Sequence, residues 1–307
     1  MVAEALWSIG ELAERAGATV KTVRYYSDRG LLPEAGRSSG GHRRYGPEAL
    51  DRLRLIRSLR VLDLPVPDVE RVLERDEALE EVVAGQLREL GSQLAALRWR
   101  EASLRLLQDC TGEERAARLR LIGAVSVPPD TAALARFWRR ILPVRLPGRV
   151  VSMVLDAVVP ELPEEPSPAQ VLAFARLHAL VSDPRLDRPG SRPAPPLPDG
   201  EYRLAVLYEG LAEAYTLASA ELRDGRDLRD GGALHCFVAA YADARGTADS
   251  PAFRRGLLPL LARSDGPVIT RYWKLATGLF APGEPVLGAL HHHLSVALHV
   301  QVEAQAG

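Results

Sequence analysis

Cysteine is scarce: Cys110 and Cys236 are the only two in 307 residues, and they lie far apart. That spacing implies no disulfide framework and leaves no Cys-x-x-Cys pair for a metal or redox centre. Both are expected as buried thiols in a reducing cytoplasm. Long apolar runs are lacking too. No stretch of 18 apolar residues occurs, which argues against a membrane-spanning helix and against a membrane partner. The N-terminus has no basic segment followed by an apolar run, the pattern of an export signal. Lysine is nearly missing, with two residues against 37 arginines. Phosphate-loop, dinucleotide-loop and His-Glu-x-x-His patterns are not found, so no catalytic residue, metal site or cofactor is predicted.

What the chain does have is positive charge gathered near its start. The formal net charge is −1, yet Arg15 to Arg60 holds eleven basic residues against four acids, or +7. A basic module on a slightly acidic remainder is the footprint of a DNA binder. Within it, Ser8 and Glu11 have the spacing of a capping box ahead of an apolar stripe at Ile9, Leu12 and Ala13. Ala16-Gly17-Ala18 predicts a tight turn. Thr19 can cap a second helix that runs to about Arg29. Two short helices about a glycine turn predict a helix-turn-helix. The second carries Lys21, Thr22, Arg24, Tyr25 and Tyr26, which suit a major groove together with Thr19. After Gly30-Leu31-Leu32-Pro33, a Gly/Ser loop bearing Arg37, Arg43, Arg44 and Tyr45 predicts a small hairpin, or wing, against phosphates.

The runs T-V-R-Y-Y-S-D-R-G-L-L-P and G-G-H-R-R-Y, in this order and spacing, resemble the MerR family of bacterial transcription regulators. The resemblance covers roughly the first third. It implies a winged helix-turn-helix completed by helices at about 47–61 and from Pro67, a homodimer, promoter DNA as target and RNA polymerase as partner. Family members bend and untwist an over-long promoter spacer so that polymerase engages both elements. Metal- and redox-sensing relatives carry cysteine clusters and cobalamin-binding ones a D-x-H-x-x-G motif; neither is found here.

The helix at 47–61 should bury Leu50, Leu53, Ile56 and Leu59, with Leu55 flanking them. One long helix is predicted from Glu77 to Asp109. Val83, Leu87, Leu90, Leu94, Leu97 and Leu104 follow each other at steps of 4, 3, 4, 3 and 7, a heptad seam with Glu101 at its one polar position. A helix about 50 Å long at ~1.5 Å per residue cannot bury such a seam alone. It packs either on its own C-terminal domain or, as the resemblance implies, antiparallel on a second copy.

The fold class is therefore mostly α, with four parts: a winged helix-turn-helix over 1–75, a dimerisation helix over 76–110, a connector over 111–130 and an all-α domain over 131–307. Helices are predicted in that last part near 131–142, 149–159, 168–181, 201–223, 232–245, 251–263, 268–280 and 285–303. Asp183 to Gly200 is too proline-rich for a helix and reads as an exposed connector or lid. His291, His292 and His293 cannot all ligate one ion from one helix, so hydrogen-bonded histidines are the simpler reading. Trp138, Tyr208, Tyr215, Tyr241 and Trp273 are candidates to line a small-molecule effector pocket. The alternatives for 131–307 are a protein-interaction or oligomerisation module, or an enzyme.

Overall fold

The computed structural model describes residues 6–75, 77–108, 110–187, 202–229, 231–264, 266–280, 283 and 285–305. It is mostly α-helical and falls into two compact units, Met1–Ser92 and Gln93–Gly307.

The first unit begins with α1 (Ile9–Arg15) and α2 (Val20–Asp28). Ser8 and Glu11 close a reciprocal capping box on α1, and the Thr19 hydroxyl caps α2 by accepting from the Thr22 amide. Such caps each stabilise a helix by about 1 kcal/mol. Gly17 sits at φ +59°, the left-handed turn that a side chain resists. Gly30, at φ +75°, ends α2, and the Leu31 amide reaches back to the Tyr26 carbonyl. The wing is β1 (Gly36–Arg37) antiparallel to β2 (Arg43–Arg44), with Arg37 opposite Arg43, and Trp7 pairs with Tyr45 beyond them. Then come α3 (Pro47–Val61) and α4 (Val66–Glu74).

Leu12, Val23, Tyr45, Leu53, Ile56, Leu64 and Val69 form the centre of this core, and Val82 of α5 (Ala78–Gln108) seals it. Leu55 departs from expectation. It follows Leu53 by two residues, which in a helix of 3.6 residues per turn puts it on the opposite side, and it is exposed.

The second unit continues with α6 (Gly112–Ile122), α7 (Ala132–Ile141), α8 (Gly148–Val158) and α9 (Pro168–Val181). Then follow α10 (Leu204–Arg223), α11 (Gly232–Arg245), α12 (Pro251–Ser264), α13 (Pro267–Ala276) and α14 (Leu287–Ala304). The α13 helix stops short of the predicted 280, because the chain turns at Thr277–Gly278. Of the proline-rich stretch 183–200, Pro184–Asp187 is a single 3-10 turn and 188–200 lies outside the described residues.

Besides a small core around Leu142, Leu146 and Val150, two large ones fill this unit. One gathers Trp99, Phe137, Trp138, Phe174, Leu177 and Tyr272. The other gathers Leu211, Phe237, Tyr241, Leu294 and Leu298. Gly210 lets α10 and α11 approach closely, since a Cβ there would press on Ala240 at 2.7 Å. In α14, Leu290, Leu294 and Leu298 are buried while Val296 and Val300 are exposed. Among the described residues, no helix is long and apolar enough to cross a membrane.

Candidate nucleic-acid interface

The α2 helix has two unlike sides. Val23, Tyr26 and Ser27 are buried, and the apolar ones join the core. Thr19, Lys21, Arg24 and Tyr25 are exposed, and Thr22 is partly so. Thr19 and Thr22 share a hydroxyl–hydroxyl hydrogen bond of 2.8 Å at the helix start. Lys21 and Arg24 have no ion-pair partner among the described residues. They stand out, because nearly every other arginine of this unit is engaged.

Three of those engaged arginines orient the helix-turn-helix. Arg57, from α3, donates to the Ala16 carbonyl at the α1–α2 turn. Arg29 reaches Glu70 of α4 at 3.0 Å and donates to the Tyr25 hydroxyl at 2.6 Å, with its guanidinium also near the Tyr25 ring. Arg43 donates to Asp28 at 2.6 Å and to Ser27 at 2.9 Å, and its Nε lies 2.7 Å from Glu34. Elsewhere in the unit, Arg52 donates to the Leu73 carbonyl and Arg60 to the Leu64 carbonyl.

The predicted contact residues do not all reach the surface. Tyr26 and Tyr45 are core residues, which corrects the expectation that both face a duplex. The Tyr45 ring is 0% exposed and its hydroxyl is hydrogen-bonded to Ser27 at 2.6 Å. In the wing, Arg37 is well exposed with Glu34 at 3.4 Å, and Arg44 lies 3.9 Å from Glu11. The Glu11 carboxyl is held below the usual carboxylate range, first by the Ser8 amide that donates to it. Sequence reasoning missed Arg57, Glu70, Ser27, Asp28 and Glu34 as supports. Only Tyr25–Arg29 carried a visible signal, its i,i+4 spacing.

The α5 helix also shows two faces. Val83, Leu87, Leu90, Leu94, Leu97 and Leu104 are exposed, Leu87 by 65%. On another side of the same helix Trp99, Ala102 and Leu106 are buried among the rings of the second unit, Trp99 edge-on to Phe174.

The five candidate effector residues fall into separate packed groups. Trp138 and Trp273 meet at 5.5 Å in the cluster around Tyr272. Tyr215 and Tyr241 belong with Phe237, while Tyr208 packs near Leu146 and Val150. Burial pushes the Tyr208 hydroxyl up to about 12 and Tyr215 well above its ordinary value. His291 shares a hydrogen bond of 2.9 Å with Tyr215 and packs edge-on to Phe237. A cleft of about 760 Å³ opens beside α7 and α8, lined by Asp130, Arg139, Asp156 and Glu161 around Leu155 and Val159.

Comparison with known proteins bears on the first unit. Residues 7–76 match the model of the MerR HTH family regulatory protein. The chain is 37% identical over 89 residues to the nodulation protein NolA of Bradyrhizobium elkanii, covering 29% of this chain and 41% of NolA. It is 38% identical over 73 residues to the mercuric resistance operon regulatory protein of Bacillus cereus, covering 23% and 55%. The match thus spans about two fifths of NolA and about half of the Bacillus protein. Against an HTH-type transcriptional regulator of Pseudomonas aeruginosa the identity is 34% over 116 residues, covering 35% of this chain and 88% of that protein. With nearly all of that regulator matched, and the helix-turn-helix, wing and following helices in place, the chain belongs to the MerR family.

Proposed function

We propose that this protein is a dimeric, sequence-specific DNA-binding transcription regulator. In this reading α2 enters the major groove with Lys21, Thr22, Arg24 and Tyr25 toward base edges, while Thr19, Arg37 and Arg44 meet phosphates. The observation that carries it is the free charge of Lys21 and Arg24. They stand on a helix whose other side is sealed in the core, in a unit where most other guanidinium groups are engaged. The exposed line Val83, Leu87, Leu90, Leu94, Leu97 and Leu104 supports pairing of α5 with a second copy, which would present two heads to a two-fold site. Family membership supports promoter DNA and RNA polymerase as partners and a cytoplasmic setting, and we read the chain as a regulator that carries no catalysis.

The test is selection of duplexes from a randomised pool by the full-length protein, followed by anisotropy titrations. Enrichment of an inverted repeat is expected, and a pool that stays random overturns the reading. Arg24→Ala should erase the preference. Leu90→Asp with Leu94→Asp should sediment as a monomer; a persisting dimer removes the seam.

Residues 131–307 are read as the regulatory part, taking a small-molecule effector. The cleft beside α7 and α8 supports that reading by its size. A second reading, a protein-interaction module, is supported by the aromatic side chains, which pack on one another instead of lining one cavity. A metabolite panel read by thermal shift separates the two, because a ligand of the native state must raise the melting temperature.

A further inference from the structure

We propose that Arg43 is a positioning residue that locks the wing to α2, so that helix and wing meet DNA as one rigid grip. The inference deepens the DNA-binding reading and rests on it. Arg43 stands on β2, yet its polar contacts lead elsewhere. Asp28 and Ser27 belong to the last turn of α2, and Glu34 lies on the chain entering β1. The Ser27 hydroxyl is buried and bound to Tyr45, the residue that follows the wing. One guanidinium therefore ties together the recognition helix and both ends of the hairpin.

Two features separate Arg43 from a phosphate contact. Its charge is matched by Asp28 and by Glu34, which also faces Arg37, so the cluster is formally neutral and offers a phosphate little net attraction. Its planar fork addresses three partners at once, which a lysine ammonium on a flexible stem does not reproduce.

Charge and geometry predict opposite signs. Asp28 and Glu34 are negative charges beside a surface that must approach phosphates. On charge alone, removing them tightens binding to every duplex. If they hold Arg43, removing them loosens the grip and lowers the preference for the selected duplex.

The experiment uses the full chain with Asp28→Asn plus Glu34→Gln, with Arg43→Ala and with Arg43→Lys. Probes are the best duplex from the pool selection and a scrambled duplex, titrated over a salt series. Hydrogen exchange of residues 35–44 is followed in the free protein. The double variant should cut the ratio of the two affinities about tenfold, comparable with one mismatched base pair. Wing amides should exchange about threefold faster, as loss of a surface ion-pair network allows. Arg43→Ala should leave the salt slope unchanged, and Arg43→Lys should not restore the ratio. A slope reduced by about 0.9 on both duplexes for Arg43→Ala marks a direct phosphate contact and overturns the proposal. So does tighter binding of both duplexes by the double variant, or wing exchange that does not move. A wild-type protein that binds no duplex refutes the DNA reading, while the exchange measurement still decides whether Arg43 holds the wing.

Discussion

In Met1–Ser92 the ties between elements are arginines: Arg57 to the turn after α1, Arg43 to α2, Arg29 to α4, Arg52 and Arg60 to carbonyls beyond α3. In Gln93–Gly307 they are rings. Phe137, Trp138, Tyr272 and Trp273 form one aromatic group, Trp99 meets Phe174, and Phe237 meets Tyr241. Directional polar ties set an angle, and their loss costs little stability. Packed rings set stability, and their loss leaves a void. The first unit thus adds angle-setting arginine ties to its apolar core, while the second leans more on packed rings.

The largest expected break in this contrast is Phe174→Ala. A fully buried ring removed from the second unit should cost about 3–5 kcal/mol, read by denaturant unfolding. A loss under about 1 kcal/mol would mean that rings are not the main support there. Next is Gly288→Ala, whose new methyl would overlap the Trp273 ring across the α13–α14 contact. Overpacking of this kind costs about 1–3 kcal/mol, and a quenched or shifted tryptophan emission should accompany it. Third is Arg57→Ala in the first unit. It should cost only about 1 kcal/mol while the preference for the selected duplex falls, and equal losses on selected and scrambled duplexes would show that the turn is not being oriented. Ser8→Ala should cost about 1 kcal/mol or less, with no change in duplex preference.

The smallest is a pH effect in the second unit. Arg254 hydrogen-bonds Asp249 and holds its carboxyl below the ordinary value. A carboxyl depressed in the folded state adds stability above its unfolded value, about 3.9, and loses it as pH falls through the folded one. The melting temperature should drop in that acid window, and Asp249→Asn should flatten the drop.

Much of the fold was legible, and for local reasons. Ser8–Glu11, Thr19, Pro47 and the glycine turns mark helix ends within a few residues of themselves. The candidate site was legible only in part. Lys21, Thr22, Arg24 and Tyr25 could be placed on one helix, but that helix has an inside, and periodicity alone did not separate Tyr25 from its buried neighbour Tyr26. Tyr45 looked like a wing residue because it follows Arg44; its burial depends on Ser27, eighteen residues earlier. The spacing of the exposed apolar line on α5 was readable as a heptad. The other side of α5 was not, because the partners of Trp99 lie more than seventy residues away, at Phe174. The effector candidates were chosen by residue type, which says nothing about which rings meet.

One pair of residues constrains how this chain can change. The buried Glu221 carboxylate accepts from the Ala233 amide at the start of α11 and occupies the space a side chain at Gly231 would need. The two positions are therefore coupled. A side chain at 231 pushes the Glu221 carboxylate off the Ala233 amide, and a shortened 221 leaves that amide without its acceptor until something at 231 or 232 supplies one. Descendants of this sequence should tend to change the two residues together.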